Sequence, residues 1–407
     1  MNPDNVDFAI AGAGVVGVTA AMLLAREGFS VVLIDPAPPP QELAAPYDLR
    51  TYALTPASLR VLRAIGVDAT LDHERVAPFV GMHVWDARSD GTLRFDARQL
   101  GRDTLGAIVE HQNIHVALHR LRAGHSGPGL ITAAVAGVAA GADRMTVELD
   151  NGGSLSAAIV LGCDGASSPS RARLGVPANG TQFRQHAIVC NVETEHPHDS
   201  IARQRFLPEG PLAFLPLPPD QMSAIVWSMD PERAAAAVRA SDEVFTGQLA
   251  EAFDGELGAV RSTTARIAIP LQSLHLSRYV VGRTVLLGDA AHVVHPLAGQ
   301  GLNLGILDAA ALAEVFGERD PLDLKFPRAA LERFERLRRG ENLAMLKLTN
   351  GLNRLFRDDH RFVQRARGAG MRAVDAVAPL KHWLMLRAMG DVGDVPRIAA
   401  FGRSPPA

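Results

Sequence analysis

Uninterrupted apolar runs that stop at glycine or aspartate recur along this chain of 407 residues. Residues 18–27 predict a helix, and Gly28 is a natural residue to end it. Such runs predict buried strands at four places: 6–11, 31–34, 157–162 and 285–287. Strands and helices in this order are typical of an open α/β sheet, which binds ligands at the carboxyl ends of its strands.

Residues 181–275 follow another pattern, in which short strand-like segments are separated by turns. These segments are 187–192, 201–207, 212–217 and 223–229. They predict a mostly antiparallel sheet, which the piece at 77–97 is expected to join. Helical patterns return from residue 346 onwards.

The turn after the first predicted strand contains Gly12, Gly14 and Gly17 in the spacing Gly-x-Gly-x-x-Gly. Gly12 permits a tight turn, Gly14 lets the backbone approach a pyrophosphate, and Gly17 allows close packing of helix and strand. Asp35 ends the second strand, where an acid would bind the ribose of an adenosine. The motif predicts a Rossmann-like dinucleotide site, but it does not choose between NAD and FAD.

A second informative segment surrounds Gly288-Asp289. It places a carboxylate at the carboxyl end of a predicted strand, followed by a Pro/Gly-rich loop and a helix from Asn303. A helix start offers free N–H groups and the positive end of a dipole. A carboxylate that binds hydroxyls beside such a helix start suits a cofactor with a sugar-alcohol chain and an ionisable ring, and FAD has both.

The string His-Pro-Leu-Ala-Gly-Gln-Gly-Leu-Asn at 295–303 resembles the late motif of the FAD-dependent aromatic hydroxylases, and within them the ubiquinone-biosynthesis hydroxylases. The resemblance implies that Asp289, after Gly288, binds the ribityl chain of the flavin. It also implies that one stretch of backbone lies near the N1/O2 edge of the flavin ring: Gly299, Gln300, Gly301, Leu302 and Asn303.

Three other segments resemble the same family. Asp164-Gly165, at the end of the third predicted strand, is similar to its Asp-Gly motif, where Asp164 would lie near the pyrophosphate and Arg171 would supply positive charge. Arg50 would reach the flavin or its phosphates, and Gln112 is the candidate for the place where the chain approaches the flavin.

The resemblance implies an α/β fold with three parts. Residues 1–76, 98–180 and 276–345 would form a discontinuous, Rossmann-like FAD-binding domain. Residues 77–97 and 181–275 would form an inserted substrate domain built on an antiparallel sheet, and 346–407 a C-terminal helical region.

The implied reaction is hydroxylation of the ring of a prenylated phenol. NAD(P)H would reduce FAD, and reduced flavin would add O2 to give a hydroperoxide that attacks the ring. Pro296 and Ala298 would line the reacting face, and His295 beside them could act as a base, although a structural hydrogen bond is the favoured role. Leu212, Phe214 and Leu215 are the candidates to face a hydrophobic substrate, with plain core packing the favoured role for any one of them.

Other activities remain open at this point. They include hydroxylation of another phenol, reduction of isoprenoid double bonds, and FAD binding without catalysis. A flavin halogenase should carry Trp-x-Trp-x-Ile, which this sequence lacks.

Composition narrows the cellular setting. The net charge of −3 suggests no nucleic acid partner, and the two cysteines form no Cys-x-x-Cys, which argues against a metal or redox site and favours the cytoplasm. Residues 8–25 could span a membrane by length, but acidic flanks and glycines favour strand, turn and helix instead.

Residues 351–390 hold eight Lys or Arg against three Asp, among apolar residues. Packing on the FAD domain is favoured for this basic region, with contact to the inner membrane as the alternative. The sequence indicates no oligomeric state.

Overall fold

The computed structural model describes residues 5–124, 127–295, 297, 299–318 and 327–402. Its α-helices within these ranges are α1 (Val15–Arg26), α2 (Pro56–Ala64), α3 (His111–Ala123), α4 (Pro169–Leu174), α5 (Pro231–Arg239), α6 (Asp242–Ala252), α7 (Gln300–Gly317), α8 (Arg328–Arg357), α9 (Arg361–Ala376) and α10 (Ala378–Ala388). In the described part of the chain no helix has the length and hydropathy to cross a bilayer.

The strands, in chain order, are β1 (Asn5–Ala11), β2 (Val31–Asp35), β3 (Thr51–Leu54), β4 (Val76–Phe79), β5 (Gly81–Asp86), β6 (Thr92–Asp96), β7 (Gly106–Glu110), β8 (Gly129–Thr132), β9 (Val135–Ala140), β10 (Met145–Leu149), β11 (Ser154–Gly162), β12 (Ala178–Thr194), β13 (Ile201–Leu207), β14 (Gly210–Leu217), β15 (Met222–Met229), β16 (Val260–Thr263), β17 (Ile267–Leu276), β18 (Val280–Val281), β19 (Thr284–Leu286) and β20 (His292–Val293). They form three sheets.

The first sheet has the order β18-β19-β11-β1-β2-β8, with β10 and β9 paired outside this path. Strand β1 runs parallel to both β11 and β2, and β11 runs parallel to β19. Parallel strands buried on both faces read as continuous apolar runs, which is why the sequence pattern located them. The predicted α/β core is therefore confirmed.

The second sheet, called the roof sheet below, has the order β20-β17-β12-β15-β14-β13-β5-β6, with β16 paired to β12. Its pairs are antiparallel except that β13 runs parallel to β5. Within the predicted piece at 77–97, β5 and β6 belong to the roof sheet, whereas residues 77–79 lie in β4, which pairs with β7. A smaller third sheet has the order β3-β7-β4.

Side chains alternate across each roof strand and so serve two different layers. On β14, Leu212 and Phe214 are buried against Trp227 and Phe245 beneath α5 and α6. Neighbouring side chains of the same strand point the other way, towards the first sheet. The roof sheet therefore has one face closed by helices and one face turned towards the first sheet.

The C-terminal helices pack on the roof sheet through buried charge. Arg367 of α9 donates from Nε to the carboxylate of Asp86 on β5 at 2.8 Å, and both side chains are 1% exposed. Gly91 and Gly368 pack closely beside this pair, since a Cβ on Gly91 would lie 2.9 Å from the Gly368 Cα. Helix α9 is thus held against strand β5 of the roof sheet.

A buried polar network joins α7 and α8 to the end of the first sheet. Asp308 of α7 accepts from Arg338 Nε at 2.8 Å, from Asn342 Nδ2 at 3.0 Å and from the Gly288 N–H at 3.2 Å, and its Oδ2 lies 2.5 Å from His292 Nε2. Burial alone would raise the pKa of the Asp308 carboxyl, but the adjacent His292 and Arg338 hold it well below its usual range. The carboxylate therefore stays charged and fixes the loop that begins at Gly288.

Removing the buried cation should destabilise the protein strongly. We expect Arg338→Met to lower the free energy of unfolding by about 3–5 kcal/mol, because Asp308 is left as a buried and poorly compensated charge. Chemical denaturation measures the change. The matched control is Arg328→Met, whose exposed pair with Glu332 should contribute about 1 kcal/mol or less. Equal effects of the two substitutions would contradict the role given to the network.

Candidate functional site

A cavity of about 520 Å³ lies between the first sheet and the roof sheet. Gly14, Gly165 and Asp289, which belong to three segments far apart in sequence, all line it. Helix α10 adds Leu384 and Met385 to its wall. The three predicted nucleotide motifs therefore converge on one cleft.

The glycine-rich turn is built as its spacing predicts. Gly12 has φ 103°, and a Cβ there would lie 2.4 Å from the Cys163 carbonyl oxygen. A Cβ on Gly17 would lie 2.0 Å from the Gly12 carbonyl oxygen, so helix and turn can approach only without side chains. A Cβ on Gly14 would meet nothing within 4 Å, which leaves room for a phosphate group beside the backbone. Gly12 and Gly17 thus form the turn, and Gly14 faces the space it encloses.

Asp35 lies at the end of β2, but its carboxylate is engaged by backbone. It accepts from the Ala13 N–H at 2.7 Å and from the Ala37 N–H at 2.9 Å. These bonds brace the glycine-rich turn. Asp35 does not line the cavity, and its contact with a ribose stays a prediction.

The Asp164 carboxylate accepts hydrogen bonds from nearby residues and does not line the cavity, whereas its neighbour Gly165 does. The donors to Asp164 are the Ser168 hydroxyl and the Ser170 N–H at the start of α4. Gly165 has φ 82°, lines the cavity, and leaves open space where a Cβ would stand. Arg171 does not point at the cavity: its guanidinium donates to the Ala166 and Ala290 carbonyls at 2.6 and 3.0 Å. The Asp-Gly motif is therefore tied to the loop that carries Asp289.

Asp289 is the partly buried acid of the cavity. Burial raises the pKa of its carboxyl, although His292 and Arg50 act in the opposite direction. Among the residues that the structure describes, none donates a hydrogen bond to this carboxylate. Gly288, with φ 57°, allows the turn that presents it, because a Cβ there would lie 3.2 Å from Val16 Cγ2. A partly buried carboxylate that no described residue satisfies is suited to a ligand that supplies hydroxyl groups.

Helix α7 begins at Gln300, three residues earlier than predicted, with Gly299 at φ 58° as its N-cap. Gly299, Gln300, Gly301 and Leu302 line the cavity, so the free N–H groups of the first turn lie at its wall. Gly301 is close to the acid, since a Cβ there would lie 3.9 Å from Asp289 Oδ1.

The side chain of Asn303 has a structural role. It accepts from the Thr55 N–H at 2.9 Å and donates to the Ala53 and Gly299 carbonyls at 2.9 and 3.0 Å. It is 1% exposed and does not line the cavity. Asn303 therefore clamps the start of α7 to the end of β3.

Arg50 lines the cavity, where its guanidinium carbon lies 5.5 Å from the centre of the Tyr52 ring. The Tyr52 hydroxyl is 3.3 Å from His111 Nδ1, and both residues line the cavity. Burial raises the pKa of Tyr52 to about 12 and lowers that of His111 to about 4, so both are neutral near pH 7.

Gln112 is not among the lining residues, and its Oε1 instead accepts from the Ala44 N–H at 3.4 Å. The residue that faces the cavity is therefore His111, the neighbour of the predicted Gln112, and Tyr52 was not predicted. Both Tyr52 and His111 stood beside the segments that sequence analysis had selected. Tyr52 could have been found from Arg50, because residues two apart on a strand point to the same face.

His295 lies beside the cavity loop but points away from the cavity. It is fully buried and packs edge-to-face on Phe183, with ring centres 4.9 Å apart. Within the described ranges neither ring nitrogen has a hydrogen-bond partner, so the favoured structural hydrogen bond is not seen there. Burial, aided by Arg357, lowers its pKa to about 4. Pro296 and Ala298 lie outside the described residues.

The roof contributes Leu215 but not Leu212 or Phe214. The cavity side of β14 presents Ala213 and Leu215, while the other two lie in the core beneath α5 and α6. The substrate-facing role considered for Leu212 and Phe214 is thus not supported, because alternation along the strand turns them to the opposite face.

The residues of the cleft fit FAD. An open glycine cradle at Gly14 and Gly165 could hold the pyrophosphate, Asp289 could bind ribityl hydroxyls, and the first turn of α7 could contact the ring. In the described part of the chain no cluster of acidic, histidine or cysteine side chains could hold a metal ion. The polar features of the cleft are those of a nucleotide site.

Comparisons with known proteins agree with this geometry. Residues 5–319 match the family model described as FAD binding domain. The chain is 38% identical to ubiquinone hydroxylase UbiL of Rhodospirillum rubrum, covering 94% of this chain and 89% of the relative. It is 30% identical to 3-demethoxyubiquinol 3-hydroxylase of Escherichia coli, covering 96% and 100%. The crystal structure of p-nitrophenol 4-monooxygenase PnpA from Pseudomonas putida shares the fold, with a TM-score of 0.75 at 18% identity over 95% of this chain and 98% of that one.

Substitution of Asp289 should weaken FAD retention without lowering the stability of the FAD-free protein. We expect Asp289→Ala to weaken FAD retention at least tenfold, since a charged hydrogen-bond acceptor is lost. The FAD-free protein should be no less stable than the parent, because the carboxylate removed is partly buried and has no described donor. Visible absorbance after desalting and thermal unfolding of both forms measure the two effects. Asp150→Ala, at an exposed turn, is the control. FAD retention equal to that of the control would remove Asp289 from the site.

Proposed function

Since this chain belongs to the FAD binding domain family, we propose that it is a FAD-dependent monooxygenase that hydroxylates the aromatic ring of a prenylated phenol in ubiquinone biosynthesis. NAD(P)H and O2 would be its co-substrates. The observation that carries the proposal is a single cleft with nucleotide-binding features on one wall and an apolar sheet on the other.

The two walls of the cleft would have different roles in the reaction. When bound, FAD supplies the redox and oxygen-transfer chemistry, which no side chain of the cleft could provide. The first turn of α7 would stabilise negative charge on the reduced ring, and its dipole adds up to about 2 kcal/mol in a partly buried site. Direct N–H bonds from the same turn would contribute the rest.

The roof sheet would exclude water from the reacting atoms. Ala213, Leu215, Val226 and Val189 present an apolar surface over the cleft. An apolar roof suits a hydrophobic ring and a prenyl chain, and it protects a reactive oxygen species from water. Leu215 is the remaining candidate among the three substrate residues that sequence analysis selected.

Turnover with labelled oxygen tests the function directly. We expect the FAD-loaded protein to oxidise NADH or NADPH faster when a short-chain prenylated phenol is added. The product should carry one oxygen atom from isotopically heavy O2, as mass spectrometry would show. Omission of O2 is the control. A product with a reduced prenyl double bond, or no product with any phenol, would reject ring hydroxylation.

We also propose that the C-terminal helices contact a membrane surface. Phe362, Val377, Leu380 and Trp383 are 83%, 49%, 42% and 51% exposed. These residues, called the tail surface below, are accompanied by the exposed Arg361 and Arg365. Apolar residues flanked by cations are typical of helices that lie on anionic lipid.

The tail surface adjoins the cavity through one helix. Leu380 and Trp383 are on the exposed side of α10, while Leu384 and Met385 line the cavity. This arrangement would let a prenyl chain pass between lipid and cleft along α10. It supports peripheral contact at the cytoplasmic side of the inner membrane, which sequence analysis had held as the alternative.

Vesicle binding tests the tail surface. We expect the double substitution Phe362→Ser and Trp383→Ser to lower co-sedimentation with phosphatidylglycerol-containing vesicles at least tenfold, because two apolar side chains no longer enter the interface. Val244→Ser is the matched control, since Val244 is 50% exposed on α6. Binding that matches this control would reject the membrane contact, provided that FAD content is unchanged in all three proteins.

A further inference from the structure

The cavity-facing side of the roof sheet is apolar with one exception. Its described lining residues are Met82, Phe95, Ala187, Val189, Ala202, Gln204, Ala213, Leu215, Val226, Ile269, Leu271 and Val293. Gln204 is the polar member of this set. The other polar lining side chains, such as Arg50, Tyr52, His111 and Asp289, belong to segments outside the roof sheet.

The strand register fixes the place of Gln204. It lies opposite Ala213, which lies opposite Val226, which in turn lies opposite Val189. These four residues form one row across β13, β14, β15 and β12, and all four line the cavity. The amide therefore projects into the cavity from the β13 end of an otherwise apolar row.

The amide of Gln204 has no other use in the described structure. The residue is 7% exposed, and no side-chain hydrogen bond joins it to another described residue. Asn191, on strand β12 of the same sheet, differs because its amide donates to the Asp48 carbonyl at 3.4 Å and does not line the cavity. A buried polar group without a partner costs free energy unless a ligand satisfies it.

From this geometry we infer that Gln204 orients the substrate by hydrogen bonding to the oxygen substituent of its ring. The inference rests on the proposed function and names a positioning residue for it. An amide can donate to a ring oxygen or accept from a phenolic O–H. A few polar groups in an otherwise apolar pocket commonly fix the orientation of a ligand.

The same geometry points to the substrate class. An amide carries no charge, and the described roof residues that line the cavity include no Lys, Arg or His. A carboxylate on the ring would therefore lose its hydration without gaining a cation from the roof. The substrate selected by this wall is an uncharged phenol or quinol, rather than a carboxylated one.

Paired ligands test the hydrogen bond by binding alone. A short-chain prenylated phenol and the same ring with hydrogen in place of the hydroxyl are titrated into FAD-loaded protein without NAD(P)H, and the flavin fluorescence is followed. The parent protein should bind the phenol about tenfold more tightly than the deoxy ring. Gln204→Met, which keeps the side-chain length but removes the amide, should bind the two rings equally.

Turnover gives a second readout. In Gln204→Met a smaller fraction of the NAD(P)H consumed should appear as hydroxylated phenol, because a ring that is not oriented reacts less often. FAD content should stay unchanged. The matched control is Gln248→Met on the exposed face of α6, which should retain both the preference for phenol and the product yield. Gln204→Asn withdraws the amide by one methylene and should also lose the preference, without placing an apolar side chain at this position.

The possible failures are distinct. If the parent protein prefers the phenol and both Gln204 variants keep that preference, the role of Gln204 is rejected while the proposed function stands. A parent protein that binds phenol and deoxy ring equally also rejects the role of Gln204. If the parent protein neither binds nor hydroxylates any prenylated phenol, the proposed function fails, and the inference fails with it.

Discussion

The seating of helix α7 on the first sheet is the constraint on which the cofactor side of this protein depends. A Cβ on Gly305 would lie 2.7 Å from Val16 Cγ2 and 3.2 Å from the Gly288 Cα, so the helix approaches the turn at a distance that only glycine permits. Asn303 fixes the first turn of α7 to β3, and Asp308 holds its middle through a buried charge network. Together these contacts set Asp289 and the free N–H groups of α7 side by side at the cavity wall.

Two kinds of polar side chain bear on the site, and they differ in whether described residues form hydrogen bonds with them. Asp308 and Asn303 are buried with several hydrogen bonds each, and they hold secondary structure elements together. Gln204 is also buried and Asp289 is partly buried, but no described residue bonds to their side-chain oxygens or nitrogens, and both line the cavity. Because an unsatisfied buried group costs folding free energy, the second kind is where ligand chemistry is expected. The relation is not general: His295 lacks partners among the described residues yet does not line the cavity, and the same holds for the hydroxyls of Ser223 and Ser228.

Because successive side chains of a strand point to opposite faces, the two faces of the roof sheet have different functions. Its helix-covered face contains Leu212, Phe214 and Trp227, which pack as an ordinary hydrophobic core. Its other face closes the cavity with apolar side chains and one amide. The closed core gives the roof the rigidity that a water-excluding wall requires, and helix α10 extends that wall towards the tail surface.

The sequence by itself determined the parallel core, the glycine-rich turn, the antiparallel roof and the carboxylate at the end of β19, because each depends on local spacing and on apolar runs that tertiary context does not alter. The segments that it selected bring Gly14, Gly165, Asp289 and residues 299–302 to one cleft, although α7 begins three residues before the predicted start. Only the tertiary structure decided the direction in which individual side chains point. Period-2 alternation separates Leu215 from Phe214, but it does not tell which face is covered by helices and which faces the cavity. In the same way, Asp35 and Asp164 lie where a nucleotide acid is expected, yet backbone N–H groups engage both carboxylates. Asp308 and Gln204 were overlooked because a polar residue within a strand or an apolar helix gains its meaning from partners that are distant in the chain.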